Sequence, residues 1–178
     1  ILYLDFTAYP IVYEQSRDWT PGIAGLSFLG MGTGMAIATI ASPYVNKIHA
    51  TYVTKLGPEP EARLPHIIIL SWLIPASLFW FGWTAMPPIH WVVGIVSGAP
   101  FGFSLILLFL AITSYLTDCY GPYGASALAA NAVFRSVFGA VFPLFGPYLY
   151  DGLGVPWGSS LLGFFALAFA PLPWVFYH

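Results

Sequence analysis

The chain has 178 residues, of which 58% are hydrophobic, 19% aromatic and only 7% charged. A soluble domain is typically about 45–50% apolar and about 25% charged, so a soluble fold this poor in charge could not cover its own surface. An integral membrane protein is expected, built as an all-α, polytopic bundle of transmembrane helices. The net charge of −2 does not set orientation, which follows where Lys and Arg sit. No basic stripe is present to neutralise phosphates, so nucleic acid is not an expected partner.

A spanning helix needs about 20 mostly apolar residues at about 1.5 Å each. Ile1 to about Tyr13 is too short and is expected to be the end of a helix that starts upstream. The chain does not begin with Met, and a piece of a longer protein is expected. Glu14 to Asp18 is a polar loop. Thr20 is placed as an N-cap and Pro21 as the first helical residue of a span over 21–45. Residues 46–65 form the one strongly polar stretch and hold Lys47, Lys55 and Arg63, three of the five basic residues. The positive-inside rule makes this a cytoplasmic loop. Further spans are expected over 66–85, 89–117, 123–150 and 157–177. Met86 to His90, Asp118 to Pro122 and Asp151 to Pro156 form the turns between them. Trp19, Trp83, Trp91, Trp157, Tyr148, Tyr150 and Tyr177 lie near the boundaries and suit interfacial belts.

Gly94, Gly98 and Gly102 recur every four residues, a small-residue face that lets helix backbones approach. Gly30, Gly32 and Gly34 are read as alternating rather than stacked on one face. Pro75, Pro100 and Pro143 lie inside spans and are expected to kink them.

Few residues could carry chemistry. Asp5, Tyr9 and Tyr13 are spaced i, i+4, i+8 and share a helix face. With Tyr13 at the outer end, Asp5 sits roughly 12 Å inward, where a carboxylate is a candidate proton carrier. Arg135 lies deep in an uncharged run, with Asn131 one turn before it and Phe138 three residues after. An ionised group at such a position usually faces a bundle interior or a wet cavity. Three roles stay open for it: binding an anionic group, pairing with a carboxylate, or snorkelling to the surface. Asp118 is expected to cap the next helix or to act as a gating charge. Glu61 and Arg63 are expected to form a loop-ordering pair. His49, His66, His90 and His178 are scattered at segment edges, and Cys119 is alone. No nucleophile–base set, metal cluster or phosphate loop can be assembled, so neither an enzyme site, a metal nor a cofactor is expected.

The run Tyr115-x-x-Asp118-x-Tyr120-Gly121-x-Tyr123, then Ala125-Ser126-Ala127-x-Ala129-Ala130, Arg135-Ser136-x-x-Gly139 and Phe142-Pro143-Leu144-Phe145, resembles the tenth-to-eleventh-helix region of fungal major facilitator superfamily drug:proton antiporters of the twelve-spanner branch. Pro60-Glu61-x-Arg63-Leu64-Pro65 with Leu78 to Thr84, and Phe6 to Val12, resemble the same family's eighth-to-ninth loop, ninth helix and seventh helix. Gly124 departs from the Ala more often expected there. The resemblance covers essentially the whole chain. It implies the C-terminal six-helix half of such a transporter, from the end of helix seven to helix twelve. The implied function is proton-coupled export of drugs, toxins or other amphipathic small molecules by alternating access. Implied partners are the substrate, protons, the lipid bilayer and the N-terminal six-helix half, and the implied location is the plasma membrane. Exporters of polyamines or secondary metabolites are variants of the same class. A truncated or structural membrane fragment without transport is the alternative of a different class.

Overall fold

The computed structural model describes residues 2–56 and 64–172. Among these every regular element is helical. The order is α1 (Leu2–Pro10), a π-helical turn (Ile11–Gln15), α2 (Pro21–Ala24), a 3₁₀ turn (Gly25–Phe28), α3 (Leu29–Leu56), α4 (Leu64–Thr84), α5 (Trp91–Tyr120), a second 3₁₀ turn (Gly121–Tyr123) and α6 (Gly124–Phe169). Pro21–Val45, Ile67–Thr84 and Trp91–Phe169 are long and apolar enough to cross a membrane. Large apolar side chains point outward along them, with Ile40 71% and Ile69 73% exposed. A water-facing surface rarely tolerates such a band. The protein is an all-α, multi-pass transmembrane bundle.

The core runs along α1. Leu4, Ala8 and Tyr9 are buried on it and Val12 and Tyr13 on the π turn that follows, and Leu78, Phe81, Phe101 and Tyr150 pack into the same cluster from α4, α5 and α6. α3 packs mainly on α5, and α4 packs on both α5 and α6. The α3–α5 contact is close because glycines leave room. A Cβ on Gly30 or Gly34 would collide with the carbonyl of Ile95 or Ala99, whereas Gly32 faces open space. Gly30 and Gly34 therefore form a stacked pair, contrary to the alternating pattern expected. They are four residues apart and so share a helix face.

Several boundaries differ from the sequence expectation. α3 continues to Leu56, through eleven residues expected to be loop. Polar residues end a membrane span but not a helix, and nothing from 46 to 56 is Gly or Pro. Glu61 and Arg63 lie outside the described residues. α2 begins at Pro21, but the Thr20 side chain makes no capping bond. The Thr20 main-chain carbonyl accepts from Ile23 and Ala24 instead, both at 2.9 Å. Asp118 falls in the last turn of α5, exposed, while the cap position of α6 is Tyr123. The chain turns after it, at Gly121, whose φ of 48° favours glycine.

The 46 residues of α6 would reach about 69 Å as one rod, roughly twice a hydrocarbon core. The helix is in fact broken at Gly154, with φ 74° and ψ 163°, a backbone region essentially confined to glycine. The break falls within the turn expected at 151–156, and helical structure approaches it from both sides. Beyond it, the second part of α6 packs on α4. The Trp83 indole donates to Ser160 Oγ at 3.1 Å, and the Phe79 ring lies against Gly163.

Candidate functional site

Two features of the bundle hold the candidate residues. The first is a buried polar column on α1. Asp5 is 2% exposed, and its Oδ1 has no hydrogen-bond partner. Tyr9 and Tyr13 follow at successive turns, their rings stacked with centroids 6.3 Å apart. Tyr9 also packs against Phe28 and Phe81, at 4.9 and 4.8 Å. Pro10 can donate no main-chain bond, and the helix after it widens into a π turn closed by Ser16 N–H to the Ile11 carbonyl at 3.2 Å. Such turns are often found at functional sites. Within that turn the Tyr13 hydroxyl donates to the Trp91 carbonyl at 3.1 Å.

The small face of α5 receives these tyrosines. A Cβ on Gly94 would lie 2.7 Å from the Tyr13 hydroxyl, and one on Gly98 would lie 2.6 Å from the Tyr9 hydroxyl. Gly102 abuts the main chain of Met31 in α3. The glycine stripe thus makes room for two tyrosines and a neighbouring helix. Tyr150 completes the column from α6. It is 3% exposed and donates to the Leu4 carbonyl at 3.4 Å, so it is a core residue and not the interfacial aromatic expected. Tyr9 follows Asp5 by one turn on the same helix face, and Tyr150 is hydrogen-bonded to the carbonyl of Leu4, the residue before Asp5. Ser159 is fully buried beside Gly82.

The second feature is an open cleft of about 590 Å³ bounded by α1, α4, α5 and α6. Only Arg135 and Tyr3 among its lining side chains carry polar atoms. The Arg135 guanidinium lies over the Phe109 ring, 5.0 Å from its centroid. Phe138 and Phe142 stack on each other at 5.2 Å with planes 26° apart and form a facing wall. Asn131 is half-buried one turn away and does not line the cleft, nor does Asp5. The structure therefore separates the candidate residues into a carboxylate–tyrosine column and an arginine–aromatic cleft. Asp118 belongs to neither.

Sequence reasoning missed Phe109, Tyr150 and the role of Arg17. Phe109 is one of 15 phenylalanines and nothing local marks it. Arg17 spans from the loop after α1 to the end of α4. Its Nε and Nη2 donate to the Ala85 carbonyl at 3.2 and 2.9 Å, and Nη2 donates to the Ile89 carbonyl at 2.6 Å. It supplies donors to the Ala85 carbonyl just past the end of α4, where carbonyls lack intrahelical partners, and to the Ile89 carbonyl in the turn before α5. Among the described residues no group of three or more His, Cys, Asp or Glu could hold a metal ion.

No family model matches the chain, and no solved structure does. Curated proteins do. A major facilitator superfamily multidrug transporter (mdrA) of Aspergillus fumigatus is 51% identical over 178 residues, which is 99% of this chain and 29% of that protein. An MFS-type efflux pump (MFS2) of Trichophyton rubrum is 49% identical over 99% of the chain and 30% of its own length. An efflux pump (FUB11) of Gibberella moniliformis is 47% identical over the same shares. The chain spans about 30% of the length of these relatives. Matched from end to end at such identity, it is a homologue of fungal major facilitator superfamily multidrug and efflux transporters.

Proposed function

We propose that the chain is the C-terminal half of a proton-coupled exporter of amphipathic small molecules, running from the end of the seventh helix to the twelfth. The N-terminal six-helix half supplies the opposite wall of the substrate path, and the two halves rock to give alternating access. The transporter lies in the fungal plasma membrane with the 46–65 region on the cytoplasmic side. Drugs, toxins, secondary metabolites and polyamines fall within this class. Names of relatives such as multidrug transporter and efflux pump support outward transport.

One observation carries the coupling: the Asp5 carboxyl, buried among helices with an oxygen that has no partner. Intramembrane ionisable groups are costly and mark proton relays or ion paths. Asp5 takes up and releases the coupled proton, with Tyr9 one helical turn on and Tyr150 hydrogen-bonded to the adjacent Leu4 carbonyl. The test is transport by the full-length protein in vesicles carrying an imposed pH gradient. Asp5→Asn keeps the shape of the side chain and is expected to abolish gradient-driven accumulation while leaving downhill exchange of substrate. Accumulation by Asp5→Asn equal to wild type sinks the assignment.

A further inference from the structure

We propose that the Arg135 cleft is a binding site for planar aromatic carboxylates, with Arg135 as the anion receptor and Phe109, Phe138 and Phe142 as its walls. This rests on the exporter reading and narrows its substrate class.

The argument begins with volume and wall chemistry. About 590 Å³ falls within the roughly 300–1,000 Å³ of small-molecule sites, which are mostly apolar with a few placed polar groups. Here that polar group is a cation. The guanidinium rests with Phe109 at 5.0 Å, an arrangement in which the ring quadrupole attracts the charge. A guanidinium carries its donors in a planar fork that matches a carboxylate, and this contact holds it at the wall of the cleft. Phe138 and Phe142 present a paired aromatic surface to the same space.

Desolvation then selects the ligand. Arg135 is exposed when the cleft is open. A molecule that fills the cleft removes water from the guanidinium. A neutral hydrocarbon would leave it a dehydrated, unpaired charge, which is costly. An organic cation adds like-charge repulsion. Only a ligand with an anionic acceptor at one end and a flat apolar body at the other offsets both. A site built around a hydrogen-bonding group discriminates strongly against the isostere that lacks the matching partner.

The experiment measures equilibrium binding of biphenyl-4-carboxylate and biphenyl-4-carboxamide to the full-length protein in neutral-lipid nanodiscs. The two probes share shape and differ in charge. Wild type is expected to bind the acid about tenfold or more tightly than the amide, the worth of a hydrogen bond to a charged group. Arg135→Gln is expected to bring the two affinities to within about twofold, and saturable amide binding in the variant reports an intact cleft. Arg135→Lys keeps part of the preference, because it keeps the charge and loses the fork. Equal affinities in wild type, an undiminished preference in Arg135→Gln, or no saturable binding of either probe overturns the proposal. So does loss of acid binding in nanodiscs enriched in phosphatidylglycerol, which would make the cleft a lipid headgroup site. No proton gradient enters this measurement, so a failure of proton-driven export leaves its outcome legible.

Discussion

Replacing Arg17 with Ala tests whether a loop arginine holds one end of the bundle together. The side chain ties the segment after α1 to two carbonyls 68 and 72 residues away. The carbonyl that matters is that of Ala85, a residue with no exposure. Deleting the guanidinium leaves that buried acceptor unsatisfied, at a cost of about 1–3 kcal/mol. Ile89 lies at the exposed end of the contact, where water replaces the lost donor at little cost. The guanidinium also lies 6.0 Å from the centre of the Tyr13 ring, at the outer limit for a cation–π contribution of about 0.5 kcal/mol. The expected loss is therefore about 2 kcal/mol, dominated by one carbonyl. Equilibrium unfolding of the full-length protein in mixed micelles of increasing denaturing-detergent fraction measures it. Arg17→Lys should recover roughly half, since an ammonium reaches one carbonyl but cannot reproduce the planar fork. If Arg17→Ala unfolds within about 0.5 kcal/mol of wild type, as an ordinary surface substitution does, the clamp is not energetically real.

Two further substitutions probe the packing. Gly98→Ala places a methyl 2.6 Å from the Tyr9 hydroxyl and should destabilise by about 1–3 kcal/mol through overpacking; adding Tyr9→Phe removes the obstructing oxygen, so a double-mutant cycle should show coupling of about 0.5 kcal/mol or more, and strict additivity would refute the contact. Gly154→Ala forces a side chain into φ 74°, ψ 163° and should lose about 1–3 kcal/mol, read as a lower unfolding midpoint; an unchanged midpoint would mean the break is not held at that dihedral.

Much of the bundle was legible because membranes impose simple rules on sequence. Length without charge marks the apolar helices, and Asp5, Tyr9 and Tyr13 announce a shared face by their spacing alone. Arg135 stood out because it interrupts a charge-free run. Features that depend on what comes from elsewhere in the chain were not legible. Phe109 becomes a partner only when α5 and α6 are brought together. Arg17 bonds to main-chain carbonyls, which every residue possesses and no sequence marks. Tyr150 looked interfacial because it precedes a turn. The break at Gly154 instead leaves it inside, with its ring beside Gly158. The span over 21–45 ends where expected, but the helix runs on to Leu56, because charge marks where lipid stops and not where a helix stops.

The burial of Asp5 also constrains how the protein is made. The hydroxyl that reaches back to its turn of helix belongs to Tyr150, 146 residues later in the chain. At about 5–20 residues per second, ribosomal synthesis of that interval takes roughly 7–30 s. During this time the α1 turn that carries Asp5 lacks its α6 neighbours, although Phe28, Phe81 and Phe101 of its surroundings have already been made. A chain stalled before α6 presents a membrane quality-control system with an unhoused acidic group in an apolar helix. The burial of Asp5 is therefore complete only once α6 has been made and Tyr150 is in place.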